Sequence, residues 1–204
     1  MATQFHLVEP KHIDGSSFSN SHASTSPSAA ILIWRVALFK DQPSTTSIHL
    51  PEDILVKALD TLFPQLSTSY PTGPTSEQIR RCVSSPSTYT LFLAIGSKNP
   101  FTSTTSVIPP PPEAILGALT LVTLSLLKTS RAHIEDLIVS PDARGMGLGR
   151  ALMVRALDEA VHIHSCSIVD LTSKPDRIQA RKLYESLGFT IRDTGAFRYY
   201  APKK

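Results

Sequence analysis

The chain has 204 residues, enough for one domain with a sizeable core and too few for two large ones. Hydrophobic residues make up 41% and charged residues 18%, the balance of a globular body. The net charge of +3 is too weak and too scattered for the dense basic face that nucleic-acid binding needs, although a phosphate-bearing cofactor needs only a few well-placed donors.

Met1 to Asn20 has no apolar core behind a basic start, so no signal peptide is expected, and no apolar run is long enough to span a bilayer. Ser16 to Ser28 is mostly Ser, Thr, His and Asn, with little to bury. Residues 1–28 are therefore expected to be a mobile segment ahead of one domain over residues 29–204. Ala29 to Phe39 (AAILIWRVALF) is apolar and β-branched and reads as the first strand. Pro51-Glu52-Asp53 starts a helix through about Phe63, since proline and acids suit a first turn. Thr75-Ser76-Glu77 opens a second helix to about Cys82, with Thr or Ser as N-cap.

Two strands follow, Thr88 to Ile95 and Ala114 to Leu126, separated by a Pro/Ser/Thr-rich loop at residues 97–113. That loop reads as a tolerated surface insertion, because no basic residue flanks Pro109–Pro112 as in a Pro-rich ligand. Ala132 to Val139 (AHIEDLIV) is a strand and Ser140 to Ala143 a turn. Arg144 to Gly149 is a glycine-rich loop, and a helix runs from Arg150 to about His162. Ser167 to Leu171 is a strand, and Arg177 to Leu187 a helix closed by Gly188. Final strands are expected from Phe189 to Tyr200. The order predicts a mixed α/β sheet. Cys82 and Cys166 lack metal or CxxC spacing and read as reduced thiols, which together with the missing leader favours the cytoplasm. His162 and His164 lack a third ligand, and no metal is expected.

The loop Arg144-Gly145-Met146-Gly147-Leu148-Gly149-Arg150 joins a strand directly to a helix. Glycines let the backbone approach a ligand closely, and the free N–H groups and dipole of the helix make an anion site. A Walker loop is excluded, because Gly149 is followed by Arg150 and Ala151 and supplies neither the lysine nor the hydroxyl. A dinucleotide loop needs another third spacing, although Asp170 lies about twenty residues on.

Val139, followed by Arg144-Gly145-Met146-Gly147-Leu148-Gly149, fits V-x-x-x-x-R-G-x-G-x-G. This resembles the acetyl-CoA motif of the GNAT superfamily of N-acetyltransferases. Downstream, Ala180, Leu183-Tyr184-Glu185 and Leu187-Gly188-Phe189 resemble the family's A-x-x-LYE-x-x-GF signature. The resemblance covers less than half of the chain. It implies the GNAT fold: a mixed, mostly antiparallel sheet, helices on both faces, and acetyl-CoA in the split between central strands.

It also implies roles. The backbone of Leu137, Ile138 and Val139 would bond the pantetheine arm, and Arg144, Gly145, Met146, Gly147, Leu148, Gly149 and Arg150 the pyrophosphate. The family often has Asn seven residues before the tyrosine; Arg177 stands there and is counted with the cofactor-binding residues. Tyr184 would protonate the departing thiolate, the alternative being a tyrosine that only packs beside Phe189. Glu135 and Asp136 are the candidate bases, Glu135 first. Alternation puts Glu135 with His133 and Leu137, and Asp136 with Ile134 and Ile138, so one alone reaches the cleft unless a bulge intervenes. His133-Ile134-Glu135-Asp136 also resembles the matching strand of glucosamine-6-phosphate acetyltransferases. The resemblance implies acetyl transfer to a primary amine (small amine, amino sugar or protein), by a monomer or homodimer acting off the membrane. A non-catalytic acyl-CoA-binding or scaffold protein of the same fold is the alternative.

Overall fold

In a computed structural model of the chain, residues 4–12, 31–39, 47–66, 71–96 and 109–202 are described. They fall into two compact units, Met1–Thr172 and Ser173–Lys204. The stretch Ser16–Ser28 and most of the loop at 97–113 lie outside the described residues.

The first unit is built on strands β1 (Gln4–His12), β2 (Ile31–Phe39), β3 (Ile48–His49), β4 (Tyr89–Gly96), β5 (Ile115–Ser125), β6 (Ser130–Val139) and β7 (Ile168–Leu171). They form one seven-stranded sheet in the order β3-β1-β2-β4-β5-β6-β7. Every neighbouring pair is antiparallel except β6–β7, which is parallel. This is the mixed sheet expected from the order of elements, and mostly antiparallel as the family resemblance implies.

The sheet begins earlier than the expected boundary at residue 29. Strand β1 lies within the segment expected to be mobile, and neither it nor β3 is predicted from the sequence. Val8-Glu9-Pro10 interrupts the pattern of β1, and the register with β2 shifts between Val8 and Lys11. Even so, Phe5 and Leu7 are buried, so pairing with β2 outweighs weak local preference.

Helix α1 (Glu52–Leu62) has acids in its first turn and buries Leu55, Ala58, Leu59 and Leu62, a stripe at helical spacing. Helix α2 (Ser76–Val83) starts with a full capping box: Thr75 accepts from the Gln78 amide, and the Gln78 side chain accepts from the Thr75 amide. Arg80 of α2 bonds Glu52 of α1 and lies 4.8 Å over the Phe5 ring. Both helices share one core with Trp34, Leu93, Ala118 and Ile138 of the sheet.

Helix α3 (Leu148–Asp158) covers the opposite face. Arg155 lies 5.2 Å over the Phe92 ring, and Leu152 packs against Gly117. The helix continues as a π-helical turn over Glu159–Ile163, where buried Glu159 accepts from Arg155 at 2.7 Å. Cys82 and Cys166 are both free thiols.

The second unit holds α4 (Ile178–Ser186). The segment Phe189–Tyr200, expected as strands, forms none, and its residues from Thr190 onward are exposed. A strand exists only through its ladder, and among the described residues of this unit no second segment pairs with it.

Candidate active site

Strand β6 carries most of the candidate residues, and its irregularity organises them. Along β5, Thr120 stands opposite Glu135 while Ala118 stands opposite Ile138, so β6 spends one residue more than β5 between these pairs. The extra residue is taken up at Asp136, whose φ of 51° lies in the left-handed region. Aspartate tolerates that region better than most side chains because its short polar group bonds locally.

The bulge changes which residues share a face. Ile134 pairs with Leu121, on the α3 side of the sheet, while Ile138 pairs with Ala118, in the core under α1 and α2. The expected grouping of Asp136 with both isoleucines is therefore wrong, because alternation is reset between them. His133 and Glu135 do share a face, with Nε2 and Oε1 3.3 Å apart. Asp136 reaches the same side, where the hydroxyl of Thr120 bonds its carboxyl. Both acids thus stand together.

Their environments differ. Glu135 is exposed and Asp136 half-buried. Burial first, and then the neighbouring Glu135 carboxylate, push the Asp136 carboxyl above its ordinary range, while the Thr120 bond works the other way. On α2, burial raises the Cys82 thiol; Arg81 lowers it, and the Asp136 carboxylate adds to the rise. Sequence reading missed Thr120 and Cys82 as neighbours of the acids, since both come from other elements.

Beyond the acids, the edge of β6 away from β5 pairs with no strand among the described residues, and is open in that sense. It pairs with β7 only from Arg131↔Ile168 to Ile134↔Leu171, and then runs on to Val139. The Ser140 amide donates to Leu116 on β5 at 2.8 Å. Alternation from that bond directs the Leu137 and Val139 amides and carbonyls to the opposite, open edge, and those of Ile138 toward β5. Of the three residues expected to hold the pantetheine arm, Leu137 and Val139 present their backbone that way and Ile138 does not.

The strand leads through the turn Pro141–Ala143 into the glycine loop. Gly145 and Gly147 take φ of 80° and 78°, a region that costs glycine nothing. A Cβ built on Gly145 meets nothing within 4 Å, so the loop is open there. Gly147 caps α3 with no side-chain bond, and the first amide to return to it is that of Ala151, at 3.0 Å. The amides of Leu148, Gly149 and Arg150 thus point out of the helix end. An uncapped helix start, an open glycine turn and the exposed Arg144 and Met146 fit a pyrophosphate. With the open edge of β6 beside them, these residues fit the CoA moiety of acetyl-CoA.

Tyr184 and Arg177 lie in the second unit. The LYE-x-x-GF segment closes α4 with a Schellman motif. The Phe189 amide donates to the Tyr184 carbonyl and the Gly188 amide to the Glu185 carbonyl, each at 3.0 Å, with Gly188 at φ 88°. The Tyr184 and Phe189 rings pack edge to face, 6.2 Å between centroids. Burial raises the Tyr184 phenol above its ordinary value, opposed by the Arg177 guanidinium. Its hydroxyl therefore stays protonated at neutral pH.

The family model for the Acetyltransferase (GNAT) family matches residues 70–189, more than half of the chain, and the chain belongs to that family. Solved structures share the fold. An aminoglycoside acetyltransferase from an uncultured soil metagenomic sample is 21% identical, with a TM-score of 0.58 over 85% of this chain and 97% of that one. Glucosamine-6-phosphate N-acetyltransferase from Arabidopsis thaliana is 18% identical, with a TM-score of 0.56 over 74% and 95%. An acetyltransferase from Trypanosoma brucei is 22% identical, with a TM-score of 0.51 over 74% and 96%. A search of curated proteins finds no match. Among the described residues no helix is long and apolar enough to cross a membrane.

Proposed function

We propose that the chain is an N-acetyltransferase that moves the acetyl group of acetyl-CoA to a primary amine by direct attack. The observation that carries this reading is the continuous run from the bulge at Asp136, along the open edge of β6, to the uncapped start of α3. It supports the reading because the two acids, the outward backbone of Leu137 and Val139 and the helix start follow one another on one stretch of chain.

Acetyl-CoA supplies the acetyl thioester. The residues of this chain bind it and move protons. The Leu137 and Val139 backbones hold the pantetheine arm, and the amides from Gly145 to Arg150, with Arg144, hold the pyrophosphate. The family resemblance adds Arg177 to the cofactor-binding residues. Asp136 takes the proton of the attacking amine as the N–C bond forms; burial and the neighbouring carboxylate raise its affinity for that proton. Glu135, exposed beside it, attracts the cationic acceptor and is the alternative base. As the C–S bond breaks, Tyr184 gives its phenolic proton to the sulfur. We place the protein in the cytoplasm. The acceptors to try first are amino sugars, because two structures of this fold act on a glucosamine phosphate and on aminoglycosides.

The test is a thermal melt of the whole chain with acetyl-CoA, NAD, NADP or ATP in separate samples. At 100 times Kd a ligand adds about 2.7 kcal/mol, which at this size raises Tm by roughly 5–11 °C. A rise with acetyl-CoA supports the reading and justifies an amine screen by thiol release. A rise with NAD(P) or ATP and none with acetyl-CoA overturns it.

A further inference from the structure

The glycine loop is tied to a distant part of the chain. Arg144, at the head of the loop, donates from Nη2 to Oε1 of Gln65 at 3.4 Å. Gln65 closes the 3₁₀ turn Phe63–Gln65 that continues α1. Its own amide nitrogen donates back to the Thr61 carbonyl at 3.3 Å, in the last turn of α1. The side-chain amide therefore bridges a helix end and the guanidinium. It orients its oxygen toward Arg144 because its nitrogen is already committed to the helix.

An exposed arginine samples many rotamers, and fixing one on ligand binding opposes affinity. Both Gln65 and Arg144 are exposed, so the bond between them is not a by-product of core packing. A guanidinium has five N–H groups and this contact takes one, so the others can meet a diphosphate. The choice of an amide matters: a carboxylate at this position would hold the arginine more tightly but neutralise the charge a diphosphate needs. A neutral acceptor orients the cation and leaves its charge intact.

We propose that Gln65 is a positioning residue for the cofactor, presetting Arg144 so that the diphosphate of the CoA moiety meets an oriented cation. This rests on the reading that the glycine loop binds acetyl-CoA. The bond makes α1, otherwise a structural helix on one face of the sheet, part of the anion site.

The experiment is calorimetric titration of the whole chain with acetyl-CoA in wild type, Gln65→Met, Arg144→Ala and the double variant. Methionine keeps the length of the side chain and removes the acceptor oxygen. Gln65→Met is expected to weaken acetyl-CoA about three- to tenfold, the net worth of one ordinary hydrogen bond, since the Gln65–Arg144 contact is long and exposed. Its unliganded Tm should stay within about a degree of wild type, because the residue is exposed. In the Arg144→Ala background the same substitution should change nothing further. Wild-type binding with an unchanged Gln65→Met affinity overturns the positioning role and leaves the function standing. An equal loss in both backgrounds also overturns it, since Gln65 would then act without Arg144. If wild type fails to bind acetyl-CoA at all, the reading of the loop falls and the proposal falls with it.

Discussion

Thr120 stands opposite Glu135 in the register of β5 and β6, yet its hydroxyl bonds the carboxyl of Asp136. The bulge makes this possible. By turning Asp136 into the left-handed region, it brings the next carboxylate onto the face that strict alternation would deny it.

Asp136→Asn keeps the shape, the tolerance of positive φ and a partner for Thr120, but removes the charge. Turnover with an acceptor found by screening is expected to fall about 10²- to 10⁴-fold, the range for general-base loss. Glu135→Gln should cost less. If the two losses are reversed in order, Glu135 is the base.

The same variant carries a pH signature. The folded-state pKa of Asp136 lies above its unfolded value, so the native state holds the proton more tightly. Stability then falls as pH rises from the unfolded pKa through the folded one, and the full penalty is present above it. Asp136→Asn should melt higher than wild type at pH 7, with the gap closing as pH is lowered toward the unfolded value. A gap that does not vary with pH would mean that backbone strain, not charge, separates the two.

Tyr184→Phe retains the edge-to-face contact with Phe189, and the Schellman bonds are made by the backbone alone. Its Tm should therefore match wild type, while turnover falls about 100-fold if the phenol is the acid. Unchanged turnover would leave Tyr184 as a packing residue of the helix end.

Gly117 is a steric requirement of a different kind. A Cβ there would lie 2.8 Å from the Ile138 carbonyl oxygen and 3.3 Å from Cδ1 of Leu152. The first neighbour is backbone and cannot rotate away. Gly117→Ala is expected to destabilise the fold by about 1–3 kcal/mol, readable as a lower Tm in the unliganded protein.

Much of this was legible in the sequence where signals are local. Strand β2 and helices α1, α2 and α4 lie within about two residues of expectation, because caps, proline and apolar periodicity act over a few residues. The glycine loop was legible for the same reason, being one contiguous segment with its helix attached. Helix α3 starts two residues earlier than expected, at Leu148, since Gly147 serves as its cap. Strands β1 and β3 depend on partners far along the chain, and their own residues argue weakly for them. The bulge at Asp136 was foreseen only as a condition, because it follows from the count of residues on β5 against β6. Thr120, Cys82 and Gln65 were not legible as neighbours of the site: no spacing within the sequence links positions that far apart.

The extra residue in β6 is also separable from the ladder around it. Deleting Asp136 would leave two steps on each strand between the flanking pairs, so Thr120 would still face Glu135 and Ala118 would still face Ile138. Ile138 would keep its place in the core, and Leu137 and Val139 would still turn their backbone away from β5. The fold can therefore gain or lose this carboxylate without repacking, which makes the second acid an addition to the sheet and not a part of its framework.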